Sequence, residues 1–310
     1  MRWYIGIDGG GTKTAFVIGT AEGIRIREIT RSGCSYQQIG IDSTVELLVA
    51  GVQDLLTSVG ADMVDCGGIC IGLPCFGENH GADIQIERQI CDAFAPVPVK
   101  IVNDSVVGWA GALGCNEGIH LVAGTGSMAL GCGTDGRFAR SGGWTEFFGD
   151  EGSCYWIGRE AMSLFSKEAD GRMPKSELYR IVCEKYALRS DFDFISIVND
   201  EIAPYRDKVA AFQRFALEAA NMGDLGAQAI YRRAAEELAQ IVIGVKSLLC
   251  WSNESVKVSY FGGLFHAGDF VIAPLAEELR LHGCILQPAI YTAAEGALLL
   301  TIEEFVRKEN

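Results

Sequence analysis

Residues 3–18 read WYIGIDGGGTKTAFVI, in which two apolar segments flank three glycines, two threonines and a lysine. The apolar segments contain β-branched and aromatic residues, and their separation by glycines predicts a β-hairpin. Glycine permits φ > 0 and a close approach of the backbone to a ligand, so successive N–H groups can converge on an anion. An ordinary glycine turn is the alternative that this stretch alone leaves open. The candidate phosphate-binding residues are Gly10, Gly11, Thr12, Lys13 and Thr14.

Asp8 ends the first strand of this predicted hairpin. Its carboxylate is suited to magnesium, which binds one or two carboxylates and retains several waters. The turn is not a Walker P-loop, because that GxxxxGK[ST] motif opens a helix. Here Thr12 stands between Gly11 and Lys13, and a second strand follows. We therefore predict Asp8 as a Mg²⁺ ligand beside a phosphate turn of another type.

Composition limits the class of protein. The chain has 310 residues, so we expect two domains of about 150 residues each. Apolar residues make up 49% of it and the mean hydropathy is +0.18, yet no apolar run approaches the ~18 residues of a membrane span. The formal net charge of −14 argues against binding to nucleic acid or to an anionic membrane. Because Asp8 interrupts the apolar N-terminal segment, we expect no secretory signal and a cytoplasmic protein.

The eleven cysteines are scattered from Cys34 to Cys284 without a CxxC pair, which favours reduced thiols over a disulfide framework. Cys66, Cys70 and Cys75 form one close group, and His80 could complete a metal site with them. We favour the alternative that these are small core residues, which is a common role of cysteine.

Beyond the hairpin, strands and helices alternate as in α/β proteins. A polar loop, Arg31–Tyr36, is a candidate substrate contact, and Asp42-Ser43 is a capping signal for the helix that follows. The predicted elements are a strand over 23–30, a helix over 41–59, strands over 66–74 and 97–102, and a helix over 103–113 that begins with Asn103-Asp104-Ser105.

A second strand–turn–strand pattern follows, with strands over 118–123 and 128–132 around Gly124-Thr125-Gly126-Ser127. This turn matches GxGxxA, but no helix follows it as a Rossmann dinucleotide site requires. Two such hairpins suggest a duplicated domain pair that grips one phosphate tail, for which ATP is the natural ligand.

The later part of the chain is mostly helical. The segment 141–153 combines glycines, an aromatic residue and carboxylates, whereas 155–222 shows no catalytic constellation of its own. Gly262 and Gly263 follow a strand and could let a base or ribose lie against the backbone, or could simply begin a helix. The predicted elements are helices over 227–249, 270–282 and 292–307 and strands over 256–261 and 284–290.

Together these motifs resemble the BadF/BadG/BcrA/BcrD-type ATPases, and within them the N-acetylglucosamine kinase branch of the actin, hexokinase and Hsp70 superfamily. The resemblance spans nearly the whole chain and rests on DGGGTKT, NDS, AGTGS, GGW, GDEGSCYWIG and GG, in that order. It implies an α/β fold in which two ribonuclease H-like (actin-like ATPase) domains flank a cleft for ATP and a sugar. The expected domains are 1–114 with the last helix, 292–310, and 115–291 with a helical insertion over 155–222.

The resemblance also implies roles for single residues. Asp8 would position Mg²⁺, the two turns would bind the β- and γ-phosphates of ATP, and Gly262 and Gly263 would line the adenosine pocket. Asp104 would be the general base that accepts a proton from the sugar hydroxyl, a role worth ~10²–10⁴ in rate. The alternatives are that Asp104 caps its helix and that Asp150 and Glu151 are first-turn charges. The implied sugar contacts are Ser35, Asp104, Gly143, Trp144 and Asp150.

The expected activity is that of an ATP-dependent sugar or amino-sugar kinase, acting as a homodimer and forming a 6-phosphate. Ser35 and Met128 stand where that branch commonly has asparagines, which predicts that N-acetylglucosamine is a poorer substrate than glucosamine. The competing function is the iron–sulfur activator of a CoA-ester reductase or dehydratase, which needs a cysteine just before the second turn. Ala123 occupies that position.

Overall fold

Two five-stranded mixed sheets organise residues 2–307, the part of the chain that the computed structural model describes. Unit 1 comprises residues 2–116 and 289–307, and unit 2 comprises residues 117–288. Residues 308–310, which the sequence assigns to the end of the first domain, lie outside the described part. The strands are β1 Trp3–Gly9, β2 Lys13–Gly19, β3 Arg25–Ser32, β4 Cys66–Leu73, β5 Val99–Asn103, β6 Gly118–Ala123, β7 Ser127–Cys132, β8 Phe138–Gly142, β9 Val256–Phe261 and β10 Cys284–Pro288.

The helices connect these strands, except for the last helix, which follows β10, and their lengths vary from one turn to 24 residues. Short 3-10 or π-helical turns add Met63–Asp65, Val198–Ile202, Gly263–Phe270 and Glu303–Arg307. The α-helices are α1 Tyr36–Ile39, α2 Ile41–Thr57, α3 His80–Phe94, α4 Asp104–Leu113, α5 Cys154–Ala169, α6 Glu177–Lys185, α7 Asp193–Ile197, α8 Arg206–Ala211, α9 Gln213–Asn221, α10 Leu225–Leu248, α11 Ile272–Leu281 and α12 Ala293–Ile302.

The two sheets share one topology. Unit 1 has the strand order β3-β2-β1-β4-β5 and unit 2 has the equivalent order β8-β7-β6-β9-β10. In each, the first hairpin and the next strand pair antiparallel, whereas the later strands are parallel to the first. Both predicted hairpins are therefore present, and each begins its sheet.

Unit 1 has apolar layers on both faces of its sheet. One layer joins β1, β2 and β4 to α2 and α3 through side chains such as Ile5, Phe16 and Leu48. On the other face, Tyr4 and Val17 pack against α12. A Cβ at Gly111 of α4 would lie 2.1 Å from the Thr292 carbonyl oxygen, so only glycine permits α4 and α12 to approach this closely.

Unit 2 has one large core. It joins the sheet to α5, α9 and α10, and the aromatic rings of Phe165, Phe194 and Phe212 pack against one another within it. Small side chains such as Ala216 and Ala235 allow the helices to pack closely. The helical segment expected over 155–222 is thus part of the unit 2 core.

Three predicted helix starts need correction. The cap of α2 is Gly40, with φ 84° and no side-chain bond, so Asp42-Ser43 does not cap it. Asn103 caps α4, so Asp104 is its first helical residue. Ser153 caps α5 by accepting a bond from Trp156 N, which leaves Asp150 and Glu151 before the helix, outside its first turn. Asn103 and Ser153 have the extended backbone that a cap requires, whereas Gly40 ends the preceding turn with a positive φ.

The cysteine group has no metal-site geometry. Across residues 2–307, no three His, Cys, Asp or Glu side chains stand close enough together to hold a metal ion. Burial raises the pKa of Cys66 to about 11 and that of Cys70 to about 12. No helix within these residues has the length and apolarity that a membrane crossing requires.

Candidate active site

Asp8 and Asp104 lie at the same edge of the unit 1 sheet. Asp8 pairs with Gly72 of the parallel strand β4, and Leu73 pairs with Asn103 of β5. Asp104 follows directly as the first residue of α4. The carboxyl ends of parallel strands are where ligands bind in α/β sheets.

The electrostatics show that these carboxylates interact. Burial, then repulsion by the Asp104 carboxylate, raises the pKa of Asp8 to about 6 against the opposing charge of Lys13. Burial also raises the pKa of the Cys34 thiol, and the charges of Asp8 and Asp104 add to that effect. Two carboxylates and a lysine thus act on one another at this edge of the sheet, and carboxylate oxygens are ligands that suit a hard divalent cation.

The residues on either side of Asp104 fix its position. The Asn103 amide nitrogen donates to the Phe76 carbonyl at 2.9 Å. Its side-chain oxygen accepts from the Ser105 N–H at 3.0 Å and from the Ser105 hydroxyl at 2.5 Å. The NDS motif is therefore a rigid cap that presents Asp104, and the α4 dipole favours its negative charge there.

In and beside the turn Gly10–Thr12, some of the predicted donor groups have no acceptor among the described residues, whereas another already donates to a protein carbonyl. No described residue accepts a hydrogen bond from the N–H groups of Gly11 or Thr12, whereas Cys34 N donates to the Gly10 carbonyl at 3.0 Å. Thr14 is fully buried and its hydroxyl donates to the Ser32 carbonyl at 2.8 Å, so that hydroxyl has a structural partner. Gly10 and Gly11 are not among the described glycines with left-handed φ, so this turn does not use the positive φ that its glycines permit.

The second turn, Gly124–Gly126, is held from behind by the start of α5. The N–H groups of Cys154 and Tyr155 donate to the carbonyls of Gly124 and Thr125, at 2.8 and 3.3 Å. Within residues 2–307, the N–H groups of Thr125 and Gly126 have no acceptor. The Gly124 and Thr125 carbonyls thus already accept hydrogen bonds within the protein, whereas the Thr125 and Gly126 N–H groups can still donate to an anion.

Gly262 and Gly263 lie beside that turn and have different surroundings. Gly262 has φ 122°, and a Cβ there would lie 2.2 Å from the Ala123 carbonyl oxygen. A glycine at this position therefore lets the two backbone segments pack closely. A Cβ at Gly263 would meet no atom within 4 Å. The Gly263 nitrogen is 3.9 Å from the ideal Cβ position of Gly124, so the two glycine turns adjoin at one edge of the unit 2 sheet.

Asp150, one of the predicted sugar contacts, has an almost completely buried side chain. Its side chain is 3% exposed and its backbone has φ 58°. One carboxylate oxygen accepts from Ser127 N at 3.1 Å, and the other forms an ion pair with Arg206. Sequence reasoning missed Arg206, because nothing in the pattern of the helical segment distinguishes this arginine from the others.

The other predicted sugar contacts occupy varied settings. Gly142 pairs with Met128 of β7, and Gly143, with φ 69°, also lies beside Met128. Trp144 is 77% exposed. Ser35 is buried at the start of α1, next in the chain to Cys34, whose thiol the charges of Asp8 and Asp104 affect.

Comparisons with known proteins identify the family of the chain. The model of the BadF/BadG/BcrA/BcrD ATPase family matches residues 5–301. The N-acetylmuramic acid/N-acetylglucosamine kinase of Clostridium acetobutylicum is 30% identical over 282 residues, which are 91% of this chain and 92% of the relative. The N-acetyl-D-glucosamine kinase of Dictyostelium discoideum is 29% identical over 275 residues, or 84% of each chain.

A solved structure extends the match to three dimensions. The crystal structure of a Chromobacterium violaceum protein, provisionally named an N-acetylglucosamine kinase, aligns with a TM-score of 0.74 at 26% identity. The alignment covers 97% of this chain and 99% of that one. The resemblance and the actin-like ATPase fold predicted from the sequence are thereby confirmed. Because both curated relatives are named kinases, the activator is the weaker alternative.

Proposed function

The chain belongs to the BadF/BadG/BcrA/BcrD ATPase family, and on that premise we propose that it is an ATP-dependent kinase of N-acetylglucosamine or a closely related amino sugar. The observation that carries the proposal is the placement of Asp8 and Asp104 at the same carboxyl edge of the unit 1 sheet, where β1, β4 and β5 end. A phosphotransferase needs one carboxylate for a cation and another for the proton of its acceptor. This pair supplies both.

Asp104 is the proposed general base. The sugar hydroxyl oxygen attacks the γ-phosphorus of ATP, the bond between that phosphorus and the oxygen bridging to the β-phosphate breaks, and ADP leaves. The hydroxyl proton passes to the Asp104 carboxylate. The hydrogen bonds between Asn103 and Ser105 fix the backbone on either side of Asp104, which lowers the entropic cost of aligning base and nucleophile.

The two turns are the proposed phosphate contacts. In the first, the N–H groups of Gly11 and Thr12 and the ammonium of Lys13 are candidate donors. In the second, the N–H groups of Thr125 and Gly126 are candidates because no described residue accepts a hydrogen bond from them, although their carbonyls accept bonds within the protein. Gly263, which has open space beside it, is the proposed contact of the nucleoside.

Asp8 is the proposed residue that would hold Mg²⁺. Its raised pKa reflects burial beside a second carboxylate, an environment that a divalent cation would stabilise. When bound, the ion would neutralise charge on the β- and γ-phosphates.

The acceptor sugar is the least defined part of the proposal. The names of the curated relatives make N-acetylglucosamine the first compound to test and N-acetylmuramic acid the second. Ser35 and Met128 lack amide groups, and a missing partner for a buried sugar group costs ~1–3 kcal/mol, or roughly ten- to a hundredfold in affinity. We therefore expect a higher kcat/KM for glucosamine than for N-acetylglucosamine. The opposite preference would show that other groups replace the missing contacts.

An ADP-release assay with ATP and Mg²⁺ tests the activity. The panel is N-acetylglucosamine, glucosamine, N-acetylmuramic acid and glucose, and phosphorus NMR of the product locates the phosphate, which we expect on the 6-hydroxyl. ADP release that no sugar stimulates would contradict the proposal. A brown protein containing iron and sulfide after anaerobic purification would favour the activator instead.

Homodimerisation and a cytoplasmic location stay predictions of the same proposal. Mass photometry of the purified protein tests the first. Fractionation of the cells that produce it tests the second.

A further inference from the structure

The loop between β8 and α5 is fixed at both ends to the start of β7. We call residues 143–149 the aromatic loop. Before it, Gly142 pairs with Met128; after it, the Asp150 carboxylate accepts a hydrogen bond from Ser127 N at 3.1 Å. Ser127 and Met128 directly follow the turn Gly124–Gly126, so the loop and the turn share their anchor.

Arg206, the first residue of α8, joins the loop to that anchor. Its guanidinium forms an ion pair with Asp150, and its Nε lies 3.3 Å from Glu146 Oε2 within the aromatic loop. The Arg206 side chain is 44% exposed, whereas that of Asp150 is 3% exposed. The arginine therefore covers a buried carboxylate and is itself partly exposed.

The fit around this pair is tight. A Cβ at Gly126 would lie 2.6 Å from Asp150 Oδ1 and 2.7 Å from the Arg206 guanidinium. The Ser127 hydroxyl donates to the Glu151 carbonyl at 2.6 Å, a second bond between the turn and the segment after the loop. Asp150 also holds a left-handed φ of 58°, which a non-glycine residue maintains only with support from its surroundings. A displacement of Arg206 would therefore move both Asp150 and the turn.

We propose that Arg206 is a positioning residue that couples acceptor binding at the aromatic loop to nucleotide binding at the turn Gly124–Gly126. The inference rests on the proposed function, with the aromatic loop as a sugar contact through Gly143 and Trp144, as predicted from the sequence, and the turn as a phosphate contact. An acceptor that orders the loop would fix Glu146 and Arg206, which hold Asp150 and the Ser127 N–H. The binding of one substrate then strengthens that of the other, and by linkage the effect is equal in both directions.

The test measures this coupling in the full-length protein. Isothermal titration gives the Kd of N-acetylglucosamine with and without a non-hydrolysable ATP analogue; glucosamine replaces it if the ADP-release assay prefers glucosamine. We expect the analogue to tighten sugar binding about tenfold in the wild type, within the usual range of coupling between two sites. Arg206→Gln should bring this ratio close to 1, whereas Arg206→Lys should retain part of it.

Arg172→Gln is the matched control. Arg172 is also an arginine of the helical segment and is 59% exposed, but its ion pair is with Asp170, at 2.7 Å, instead of with Asp150 or Glu146. It should keep the wild-type ratio. A merely structural role of Arg206 would lower the melting temperature and leave the ratio unchanged.

Three results would overturn the inference. The first is an active wild type whose sugar Kd is the same with and without the ATP analogue. The others are an Arg206→Gln variant with the wild-type ratio of these Kd values, or an Arg172→Gln variant whose ratio falls as far as that of Arg206→Gln. If Arg206→Gln does not fold, Asp150→Asn takes its place, and an unchanged ratio there would also overturn it. A wild type that phosphorylates no sugar refutes the proposed function itself, so the two failures are distinguishable.

Discussion

The two hairpins have the same fold and different chemistry. The last strand pair is Gly9 with Thr14 in the first hairpin and Ala123 with Ser127 in the second, which makes Asp8 equivalent to Val122. The first hairpin therefore brings a carboxylate to the end of its sheet, where Asp104 and Lys13 join it. The second brings an apolar residue, and its turn is held by the start of α5. A repeated frame thus carries a carboxylate on its first strand in one unit, whereas in the other the charged groups beside the turn, Asp150 and Arg206, come from outside the hairpin.

The two sheets also differ at a pair of equivalent positions within their central strands β1 and β6. Counted back from the last pair, Gly6 of β1 is equivalent to His120 of β6. A Cβ at Gly6 would lie 2.2 Å from the Leu298 backbone nitrogen, so α12 occupies the space above it. In unit 2 the equivalent side chain is an imidazole, 4% exposed, whose Nδ1 has no hydrogen-bond partner among the described residues.

The sharpest test of this division is Asp104→Asn. The amide keeps the shape of the side chain and removes the basic oxygen, so kcat should fall ~10²–10⁴-fold while ATP and sugar still bind. Single-turnover kinetics and titration calorimetry separate the two effects. A variant that keeps more than about a tenth of the wild-type rate would refute the role of base, and with it the idea that unit 1 carries the chemistry.

We expect the buried His120 of unit 2 to make the free energy of unfolding depend on pH. Burial lowers its pKa from 6.5 to about 4. Between these values the unfolded chain binds more protons than the folded one, so the free energy of unfolding rises with pH and is lost on acidification. From pH 7 to pH 5 the loss from this group is about 2 kcal/mol.

Urea denaturation of the wild type and of His120→Leu measures that effect. The leucine variant should lose less stability than the wild type between pH 7 and pH 5, because the titrating group is gone. His266→Gln, which replaces an exposed histidine of the same unit, should behave like the wild type. An equal acid response of wild type and His120→Leu would mean that His120 is protonated in the folded protein.

A pair of alanine substitutions distinguishes the two turns. A Cβ at Gly126 would collide with Asp150 Oδ1 at 2.6 Å, whereas a Cβ at Gly11 would meet only the flexible end of Gln38, at 3.2 Å. Overpacking costs ~1–3 kcal/mol, so Gly126→Ala should raise the KM for ATP about tenfold or more. Gly11→Ala should raise it less than about threefold, because the Gln38 side chain can move. Equal effects in both variants would show that the two turns tolerate side chains alike.

The parts of the fold that depend on local patterns could be predicted from the sequence. Apolar alternation around glycines gave both hairpins, and the spacing of apolar residues gave α2 and α10, because these signals lie within one element. The helix caps were less predictable. At the start of α4, Asn103 and Asp104 are both good caps, and only the backbone geometry distinguishes them.

The site was predictable as a set of motifs and unpredictable in its contacts. Asp8 and Asp104 are 96 residues apart, and their interaction depends on the register of β1, β4 and β5. The Thr14 hydroxyl looked available in the sequence, yet the Ser32 carbonyl accepts its hydrogen bond. Arg206 reaches Asp150 across 56 residues of helical chain, a contact that no local pattern encodes.

The position of α12 has a consequence for the order of folding during synthesis. The Thr301 hydroxyl donates to the Ile5 carbonyl at 2.8 Å, a contact between residues 296 positions apart. Unit 2 is continuous in the chain, but unit 1 needs residues from both sides of it. At ~5–20 residues per second, a ribosome takes roughly 15–60 s to pass from Ile5 to Thr301. The domain whose synthesis begins first is therefore the one that completes its native packing last, after its neighbour has had time to fold.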